Sequence, residues 1–480
     1  MKRVFSHPLT ALVIGFFLRL FFVFRLPSTA GDTPLYEALA SNWLKSGIYG
    51  IPLDGGVTPL DIRMPGYPAY LALIQGLTGR TAEASRLWVM LGQVFLDLAA
   101  CVIIARIAER CAGRNTDPRR ASLAALWLAA LCPFTANYTA VPLTETYAIL
   151  TTALALLYLA SLLRPEYRPG NFPNWAQFPR RTELLKNAAL AGVSTGVGTL
   201  FRPETPLVLA SCLPVVLWIA FRRNQAVKGV RAAGLSILLC FIVLLPWTLR
   251  NAVTLHEFQP LTPKYTTLPG EVAPVGFIHW EGTWLYRFRE VFLASWKLND
   301  EAIHIEDLPA RAFDSPEERQ HVAAILEQYN HDLSLTAEED QQFASIANDR
   351  TARQPLRTYL WVPLQRMITL WFTPRIEQLP LSGSVFPLAE TWETDRQDMV
   401  VTVSLFLVNI FYLTLAFWGA VRLWRLSGEA RPAVILLAAF VLARTVFLTT
   451  IETPEPRYVL VCFPAVVAMG AHAFSRPKPL

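Results

Sequence analysis

The run of residues 8–27 decides the fold class. It reads PLTALVIGFFLRLFFVFRLP and is almost entirely apolar. A helix needs about 20 mainly apolar residues to cross a bilayer, so this run is long enough to span one. It follows Lys2 and Arg3, but it is longer than the apolar part of a signal peptide and contains Arg19 and Arg25. We therefore expect an uncleaved first membrane helix.

Runs of the same kind recur along the whole chain. Of its 480 residues, 53% are hydrophobic and 17% are charged, whereas an ordinary soluble protein has about 25% charged residues. The sequence predicts an all-α polytopic membrane protein with about ten transmembrane helices, amphipathic juxtamembrane helices and a mainly helical extracytoplasmic segment. The predicted spans are 8–27, 82–105, 121–136, 143–163, 187–201, 205–221, 232–249, 398–421, 432–450 and 457–474.

Basic residues concentrate in the loops that helix parity would place on one side of the membrane. These loops are 106–120, 164–186, 222–231 and 422–431, together with the two termini. Because positively charged loops stay on the cytoplasmic side, we expect cytoplasmic N- and C-termini in a multi-pass membrane protein. The net charge of +6 follows from these loops, so it does not indicate nucleic-acid binding.

Three domains follow from this arrangement. Residues 1–250 are expected to form an N-terminal transmembrane domain, with a first external loop at 28–81 that carries the active site. Residues 251–397 are expected to form an extracytoplasmic segment with a surface helix. Residues 398–480 are expected to form the C-terminal transmembrane helices.

The extracytoplasmic segment carries two clear helix starts. Ser315 precedes a proline and two acids, and Thr336 with Glu339 forms a capping box. The segment is short and polar, so we expect it to lack a large core of its own and to pack against the membrane helices. Residues 356–372 contain Trp, Tyr and two arginines. We expect there an amphipathic helix that lies on the outer membrane surface instead of spanning it.

Two acids stand out by position. Residues 33–46 are expected to form a short amphipathic helix, which a turn-rich segment follows. Asp32 lies just outside the first span, where it is either the N-cap of a helix beginning at Pro34 or a functional carboxylate. Glu145 lies inside the outer end of the fourth span. An acid within an apolar span is costly, so Glu145 either faces a functional cavity or belongs to a structural ion pair.

Four arginines fall at or near the outer ends of predicted spans. Singly, each could be an interfacial anchor that reaches water with its long side chain. Together, they are also suited to an anionic ligand, because the planar guanidinium binds phosphate through two hydrogen bonds and is always charged. The four are Arg63, Arg202, Arg250 and Arg457.

Several common motifs are absent from the sequence. It contains no GxxxxGK[ST], GxGxxG, HExxH or Asp-x-Asp motif. The six cysteines show no disulfide framework and are expected to be small core residues, and Arg19 and Asp97 are expected to pair within the membrane. The histidines between 251 and 335 lack metal-ligand spacing and are expected at the surface. No cofactor is therefore assigned, and a divalent cation stays open.

The order of several short motifs resembles that of the GT-C glycosyltransferases that use polyprenyl-phosphate sugars. The resemblance is to the bacterial branch related to protein O-mannosyltransferases and the lipid A aminoarabinose transferase. Residues 31–36 (GDTPLY) resemble the first external loop of that family, and residues 64–68 (MPGYP) resemble its Pro-Gly-Tyr-Pro turn. Further motifs at family-like places are 201–203 (FRP), 246–251 (PWTLRN) and 455–458 (EPRY).

The resemblance implies a GT-C-like helical bundle in a bacterial plasma (inner) membrane, with the active site on the extracytoplasmic side. It also implies roles for the matched positions. Asp32 corresponds to the catalytic acid of the family, and Arg63 to the basic residue that contacts the phosphate of the lipid-linked donor. Glu145 corresponds to an acid near the outer start of the fourth helix. With the other arginines, the expected site comprises catalytic Asp32 and Glu145, phosphate-binding Arg63, Arg202, Arg250 and Arg457, and substrate-lining Tyr36, Tyr67 and Tyr458.

The expected function is transfer of a sugar from a polyprenyl-phosphate donor to an extracytoplasmic acceptor, with inversion and with Asp32 as the base. The acceptor is a lipid, glycan or protein, and the enzyme is a hexosyl- or pentosyltransferase whose partners are donor, acceptor and bilayer. The alternative is a carrier or flippase of a lipid-linked sugar. Such transporters tend to contain internal repeats, which this sequence lacks. A catalytically inactive scaffold on the same fold is a third possibility.

Overall fold

The computed structural model of the chain describes residues 7–53, 55–113, 115–163 and 181–475. Residues 164–180 of the predicted basic loop, and the charges at both termini, lie outside this part. The chain is 72% helical, which confirms the all-α fold class. Its principal helices are α1 Pro8–Arg25, α2 Thr33–Ser46, α3 Gly66–Thr78, α4 Ala82–Cys111, α5 Pro118–Ala130, α6 Pro133–Asn137, α7 Glu145–Leu163, α8 Arg181–Thr199, α9 Leu207–Arg222, α10 Ala226–Thr254, α11 Val275–Gly282, α12 Phe288–Val291, α13 Pro316–Asp332, α14 Ala337–Arg353, α15 Val362–Trp371, α16 Leu388–Thr394, α17 Arg396–Leu426, α18 Arg431–Thr449 and α19 Phe463–Ala471.

Every predicted span is helical over most of its length, and the protein is polytopic. Within the described ranges, seven helices are long and apolar enough to cross a membrane. The pair Pro118–Ala130 and Pro133–Ala140, bent by 47°, would make an eighth. The remaining two predicted spans differ in detail: α9 is apolar but has 16 residues, and α8 carries several polar side chains along its 19 residues.

The chain divides into two compact units. The first unit comprises residues 1–262, 374–443 and 460–480, and the second comprises 263–373 and 444–459. In the first unit, Arg19 and Asp97 form the predicted buried pair, with Arg19 Nε donating to Asp97 Oδ2 at 2.7 Å. The predicted burial of all six cysteines is confirmed.

The segment between α1 and α4 contains one helix, one hairpin and a second helix. Helix α2 covers the predicted range, and ends at Gly47 in the left-handed conformation that glycine favours. A hairpin follows, with β1 Gly50–Leu53 antiparallel to β2 Gly56–Pro59. The sequence indicated only turns here, because the two strands are short and contain two glycines and two prolines.

The second unit has its own hydrophobic core. The expectation that this region lacks one is wrong, because large side chains from its helices meet in a single cluster that includes Phe277, Trp280, Trp284 and Phe343. Aromatic side chains bury a large apolar area each, so these four rings contribute strongly to a core that the polar average composition of the segment did not indicate.

The helix starts of the second unit are as predicted. The Ser315 hydroxyl accepts a hydrogen bond from Glu318 N at 3.1 Å. Thr336 and Glu339 form a complete capping box. The histidines at 279, 304, 321 and 331 are exposed, and so is His256 in the first unit, which confirms their expected surface position.

The predicted surface helix is a π-helical turn, Arg357–Trp361, continued by α15. Among the described residues, this helix does not belong to those that are long and apolar enough to span a membrane. Its inner face includes Arg366, which is 3% exposed and donates from Nε to the Leu285 carbonyl at 2.8 Å. Burial lowers the pKa of Arg366 to about 10, although Glu452 and Glu281 oppose this.

Candidate active site

Asp32 forms an ion pair with Arg63. The Arg63 Nη2 atom donates to Asp32 Oδ1 at 2.8 Å, and the two side chains are 26% and 29% exposed. Asp32 occupies the N-cap position of α2, but its φ of −73° and ψ of −19° are helical, whereas an N-cap residue usually has extended backbone. The geometry favours a charge-pairing carboxylate over the capping role that the sequence left open.

Arg63 is held in place through its own backbone and through the turn that follows it. The Tyr49 hydroxyl donates to the Arg63 carbonyl at 2.8 Å. The Pro65-Gly66 turn begins two residues after Arg63. In this turn, Gly66 N donates to the Leu200 carbonyl at 2.7 Å. A Cβ atom on Gly66 would lie 2.6 Å from that oxygen, so this close approach requires glycine.

Glu145 and Arg202 form a second ion pair. Arg202 Nη2 donates to Glu145 Oε1 at 2.9 Å, and Arg202 Nε donates to the Thr144 hydroxyl at 3.0 Å. Glu204 lies 3.4 Å from the same guanidinium. Glu145 is 1% exposed and the Arg202 side chain 11%. The pair is therefore nearly dry, which fixes its geometry.

The charged groups of both ion pairs influence the pKa of Tyr36. Burial is the main cause that raises the pKa of Tyr36 to about 12, and the Asp32 and Glu145 carboxylates add to it. The Arg63 and Arg202 guanidinium groups act in the opposite direction. All four charged groups thus act on a single hydroxyl, which stays protonated at neutral pH and can donate a hydrogen bond.

Tyr67, predicted to line the substrate site, is completely buried. Its ring contacts that of Tyr36 edge to face, with centroids 5.2 Å apart. Its hydroxyl donates to Gln93 Oε1 at 2.9 Å. Gln93 Nε2 in turn donates to the Val141 carbonyl at 2.9 Å. Tyr67 therefore supports Tyr36, and it connects α3 to the segment that precedes Glu145.

Arg250 makes backbone contacts. Its Nη1 and Nη2 atoms donate to the carbonyls of Leu60 and Tyr49 at 2.8 and 2.7 Å. Its guanidinium lies over the rings of Trp247 and Tyr49, 5.1 and 5.4 Å from their centroids. Because Tyr49 and Leu60 flank the hairpin, Arg250 holds the base of the hairpin in place.

Arg457 and Tyr458 belong to the second unit. Arg457 Nε lies 2.5 Å from Glu455 Oε2, and both side chains are almost completely buried. The Tyr458 hydroxyl donates to Glu455 Oε1 at 2.6 Å. Arg444 Nη2 donates to the Tyr458 carbonyl at 3.2 Å. The EPRY motif is therefore an internally paired cluster.

Two contacts that the sequence gave no reason to expect fix the loop before α2. Ser28 N donates to the Ala140 carbonyl at 3.1 Å. The Thr33 hydroxyl donates to the Pro142 carbonyl at 3.2 Å. The loop that carries Asp32 is thus connected at both ends to the segment that leads into Glu145.

The described residues contain no group of three or more His, Cys, Asp or Glu side chains that could hold a metal ion. The charged groups of the site are the two carboxylate–guanidinium pairs, in which each carboxylate already has a cationic partner.

No family model and no curated protein sequence matches the chain. Among solved structures, it is similar to the oligosaccharyltransferase AglB of Archaeoglobus fulgidus in complex with an inhibitory peptide and a dolichol-phosphate, with 12% identity, a TM-score of 0.48 and coverage of 97% of this chain and 50% of that one. It is also similar to ArnT of Cupriavidus metallidurans bound to undecaprenyl phosphate, with 15% identity, a TM-score of 0.41 and coverage of 93% and 77%.

A third similar structure is the Archaeoglobus fulgidus oligosaccharyltransferase tethered to an acceptor peptide, with 13% identity, a TM-score of 0.49 and coverage of 96% and 49%. The chain therefore spans about half the length of the archaeal enzyme and three quarters of ArnT.

Proposed function

We propose that this protein is an integral membrane glycosyltransferase that moves a sugar from a polyprenyl-phosphate donor to an acceptor on the extracytoplasmic side. One observation supports this most: two carboxylates, Asp32 and Glu145, each hold a guanidinium group by an ion pair, at 2.8 Å to Arg63 and at 2.9 Å to Arg202. The charges of both pairs also influence the pKa of the Tyr36 hydroxyl. A base beside fixed cations is what sugar transfer from a phosphate leaving group requires. The family resemblance of the sequence supports the same chemistry.

Arg63 is the principal phosphate ligand in this proposal. Its side chain is 26% exposed while its backbone is held by Tyr49, so its guanidinium is accessible and positioned. A guanidinium forms paired hydrogen bonds to phosphate and keeps its charge at physiological pH. The donor phosphate then competes with Asp32 for Arg63, and donor binding releases the Asp32 carboxylate next to the sugar.

Asp32 is the base. The acceptor hydroxyl oxygen attacks the anomeric carbon of the donor sugar, and its proton passes to the Asp32 carboxylate. The bond between that carbon and the phosphate oxygen breaks, and its electron pair leaves with polyprenyl phosphate. Attack from the face opposite the leaving group inverts the configuration. Arg63 and Arg202 stabilise the charge that develops on the departing phosphate.

Glu145 acts by positioning Arg202. The nearly dry Glu145 carboxylate and the Thr144 hydroxyl accept from two different nitrogens of the guanidinium, which fixes its plane. Arg250 acts one step further away, by holding the hairpin base through Tyr49 and Leu60. Arg457 is paired with Glu455 inside the second unit, and its phosphate-binding role stays a prediction from the sequence.

The test is transfer of a labelled sugar from a polyprenyl-phosphate donor in proteoliposomes. Asp32→Asn should lower the rate about 10²- to 10⁴-fold, because it removes the base and keeps the shape. The matched control is Asp61→Asn, a similar change in the same external segment at a 9% exposed carboxylate outside the proposed machinery. Near-normal transfer by folded Asp32→Asn protein would contradict the proposal.

The same assay separates the alternative function. A flippase moves the labelled lipid across the bilayer without cleaving it, whereas a transferase releases polyprenyl phosphate in step with product. If the wild-type protein translocates the donor but releases no polyprenyl phosphate with any acceptor fraction, the flippase is correct.

A further inference from the structure

A cavity of about 270 Å³ opens at the C-terminal end of α1. Two short segments line it, residues 25–28 and residues 377–380. Both belong to the first unit. We call it the α1 cavity. None of its lining residues takes part in the two ion pairs of the candidate active site.

The lining of the α1 cavity combines polar groups of different kinds. The Ser28 hydroxyl donates to Gln378 Oε1 at 3.1 Å across the cavity wall, and both residues are partly buried. Arg25 and Glu377 add one charge of each sign. The remaining lining is apolar: Leu26, Pro27, Leu379 and Pro380.

The α1 cavity lies close to the proposed base. Ser28 and Asp32 are four residues apart, so their Cα atoms are at most about 14 Å apart even on an extended chain. The contacts of Ser28 with Ala140 and of Thr33 with Pro142 hold this stretch against the segment that leads to Glu145. The cavity therefore adjoins the loop that carries Asp32, and a group bound in it would lie at the start of that loop.

We propose that the α1 cavity is the acceptor subsite, and that it takes one sugar residue carrying a free hydroxyl. This rests on the proposed function. Neighbouring hydroxyls of a sugar act as donors and acceptors together, and amide, carboxylate, guanidinium and hydroxyl side chains meet both needs. The leucine and proline surfaces suit the C–H face of the ring. A volume of about 270 Å³ is at the lower end for ligand pockets and matches a single ring.

Side-chain labelling tests the subsite without relying on catalysis. Ser28→Cys introduces a thiol into the cavity, and Ser46→Cys places one on the exposed end of α2, outside it. The six native cysteines are buried, so background labelling by a polar maleimide is low. The probes are methyl glycosides at millimolar concentration, added to the full-length protein in nanodiscs.

The proposal expects methyl glycosides to slow labelling of Ser28→Cys several-fold and to leave Ser46→Cys unchanged. Equal labelling rates with and without every methyl glycoside would overturn it, and so would protection by N-acetylserine amide in place of the sugars, which would indicate a protein acceptor. Gln378→Cys repeats the measurement if Ser28→Cys does not fold.

A kinetic measurement links the cavity to transfer. Gln378→Ala should raise KM for a sugar acceptor about tenfold and leave kcat almost unchanged, because it removes binding groups but no reacting group. A fall in kcat with unchanged KM would contradict acceptor binding. If Asp32→Asn stays active while the glycosides still protect Ser28→Cys, the proposed mechanism fails and the sugar subsite stands.

Discussion

In the proposed mechanism, Arg63 is the side chain that couples donor binding to release of the base. Its guanidinium pairs with Asp32 at 2.8 Å, and both side chains are partly exposed. Partly exposed pairs contribute little stability, so exchanging the carboxylate for a donor phosphate would cost little. The proposal therefore expects the pair to mask the base until the donor binds.

Substitutions at Arg63 should separate charge from hydrogen-bond geometry. Arg63→Met should reduce transfer about 10²- to 10³-fold, because it removes a donor to the developing phosphate charge. Arg63→Lys should fall between Met and wild type, since it keeps the charge and loses the planar fork. The measurement is the rate of polyprenyl phosphate release at saturating acceptor. Wild-type activity in Arg63→Met would rule out the phosphate role.

The Glu145–Arg202 pair should behave differently because it is nearly dry. Arg202→Met should destabilise the protein by about 3–5 kcal/mol, the usual cost of breaking a buried pair from one side. The double variant Glu145→Gln with Arg202→Met should recover most of this loss and stay inactive. Thermal unfolding in detergent measures the first effect and the transfer assay the second. A stable and active Arg202→Met protein would contradict both roles.

A site residue could be predicted from the sequence where its type and its position relative to a predicted span together indicate a function. Asp32 and Arg63 stand at the rim of a span beside a rigid turn, and their pairing agrees with that position. The supporting roles of Gln93 and Thr144 could not be predicted, because a polar side chain inside an apolar run can have several purely structural roles. Arg250 has the right type and position for a phosphate ligand, but its carbonyl partners come from a hairpin distant in sequence.

The short helices around the site are joined by backbone contacts that depend on small residues. Gly66, at the start of α3, donates to the Leu200 carbonyl just beyond the end of α8. This contact connects the turn after Arg63 to the residue pair that precedes Arg202. Arg63 and Arg202, the two proposed phosphate ligands, therefore share one support.

Gly66→Ala should disturb that support. Its new Cβ would lie 2.6 Å from the Leu200 oxygen, which forces α3 and α8 apart at a cost of about 1–3 kcal/mol. Transfer should fall more than stability does, since Arg63 and Arg202 shift relative to each other. Gly76→Ala is the matched control in the same helix, because its Cβ would meet only the Leu44 side chain at 3.7 Å. Equal activity of the two variants would contradict the shared support.

Helices were predictable from apolar length, whereas the hairpin was not. Helix α2 agrees with its predicted bounds because an N-terminal proline and a C-terminal glycine mark them. Strands β1 and β2 have four residues each and are bounded by glycine and proline. Their pairing is held from outside by Arg250, which no local pattern reveals.

The two compact units differ in how visible their cores were in the sequence. Long apolar runs in the sequence predicted the helices of the first unit. The charged residues inside two of those runs also predicted the Arg19–Asp97 pair. The second unit buries its aromatic residues among charged helices, so its average composition concealed a core. Composition describes a bilayer-spanning region well and a small helical domain poorly.

The second unit should lose stability as pH rises. Burial, with a contribution from Glu452, raises the pKa of Glu281 to about 8, against the opposing effects of Ser295 and Arg366. Below about pH 4.5 the folded and unfolded forms both hold the proton, and stability is complete. Between about pH 4.5 and 8 only the folded form keeps it, and folding loses about 1.4 kcal/mol per pH unit.

Glu281→Gln is neutral at every pH and should remove that dependence. Apparent unfolding temperatures, measured by tryptophan fluorescence at pH 5 and pH 8, should differ less in Glu281→Gln than in wild type. Glu327→Gln, an exposed glutamate on α13, serves as the control and should follow wild type. Identical pH dependence in all three proteins would contradict a proton held on Glu281.

The predicted orientation has a direct test. Ser46 lies on the segment that we expect outside the cell, and Asn115 lies in a basic loop that we expect inside it, so each is replaced by cysteine in turn. A membrane-impermeant maleimide should label Ser46→Cys in intact cells and Asn115→Cys only after permeabilisation, because positive loops are retained inside. The reverse pattern would place the candidate site on the cytoplasmic side and contradict a lipid-linked donor.

The central claim is that a lipid phosphate binds to Arg63 and displaces the Asp32 carboxylate. A cryo-electron microscopy structure of the full chain in nanodiscs with polyprenyl phosphate tests this most directly. We expect phosphate density within hydrogen-bond distance of the Arg63 guanidinium, with the Asp32 carboxylate separated from Arg63. Phosphate density at another place, with the Asp32–Arg63 pair still closed, would contradict the account.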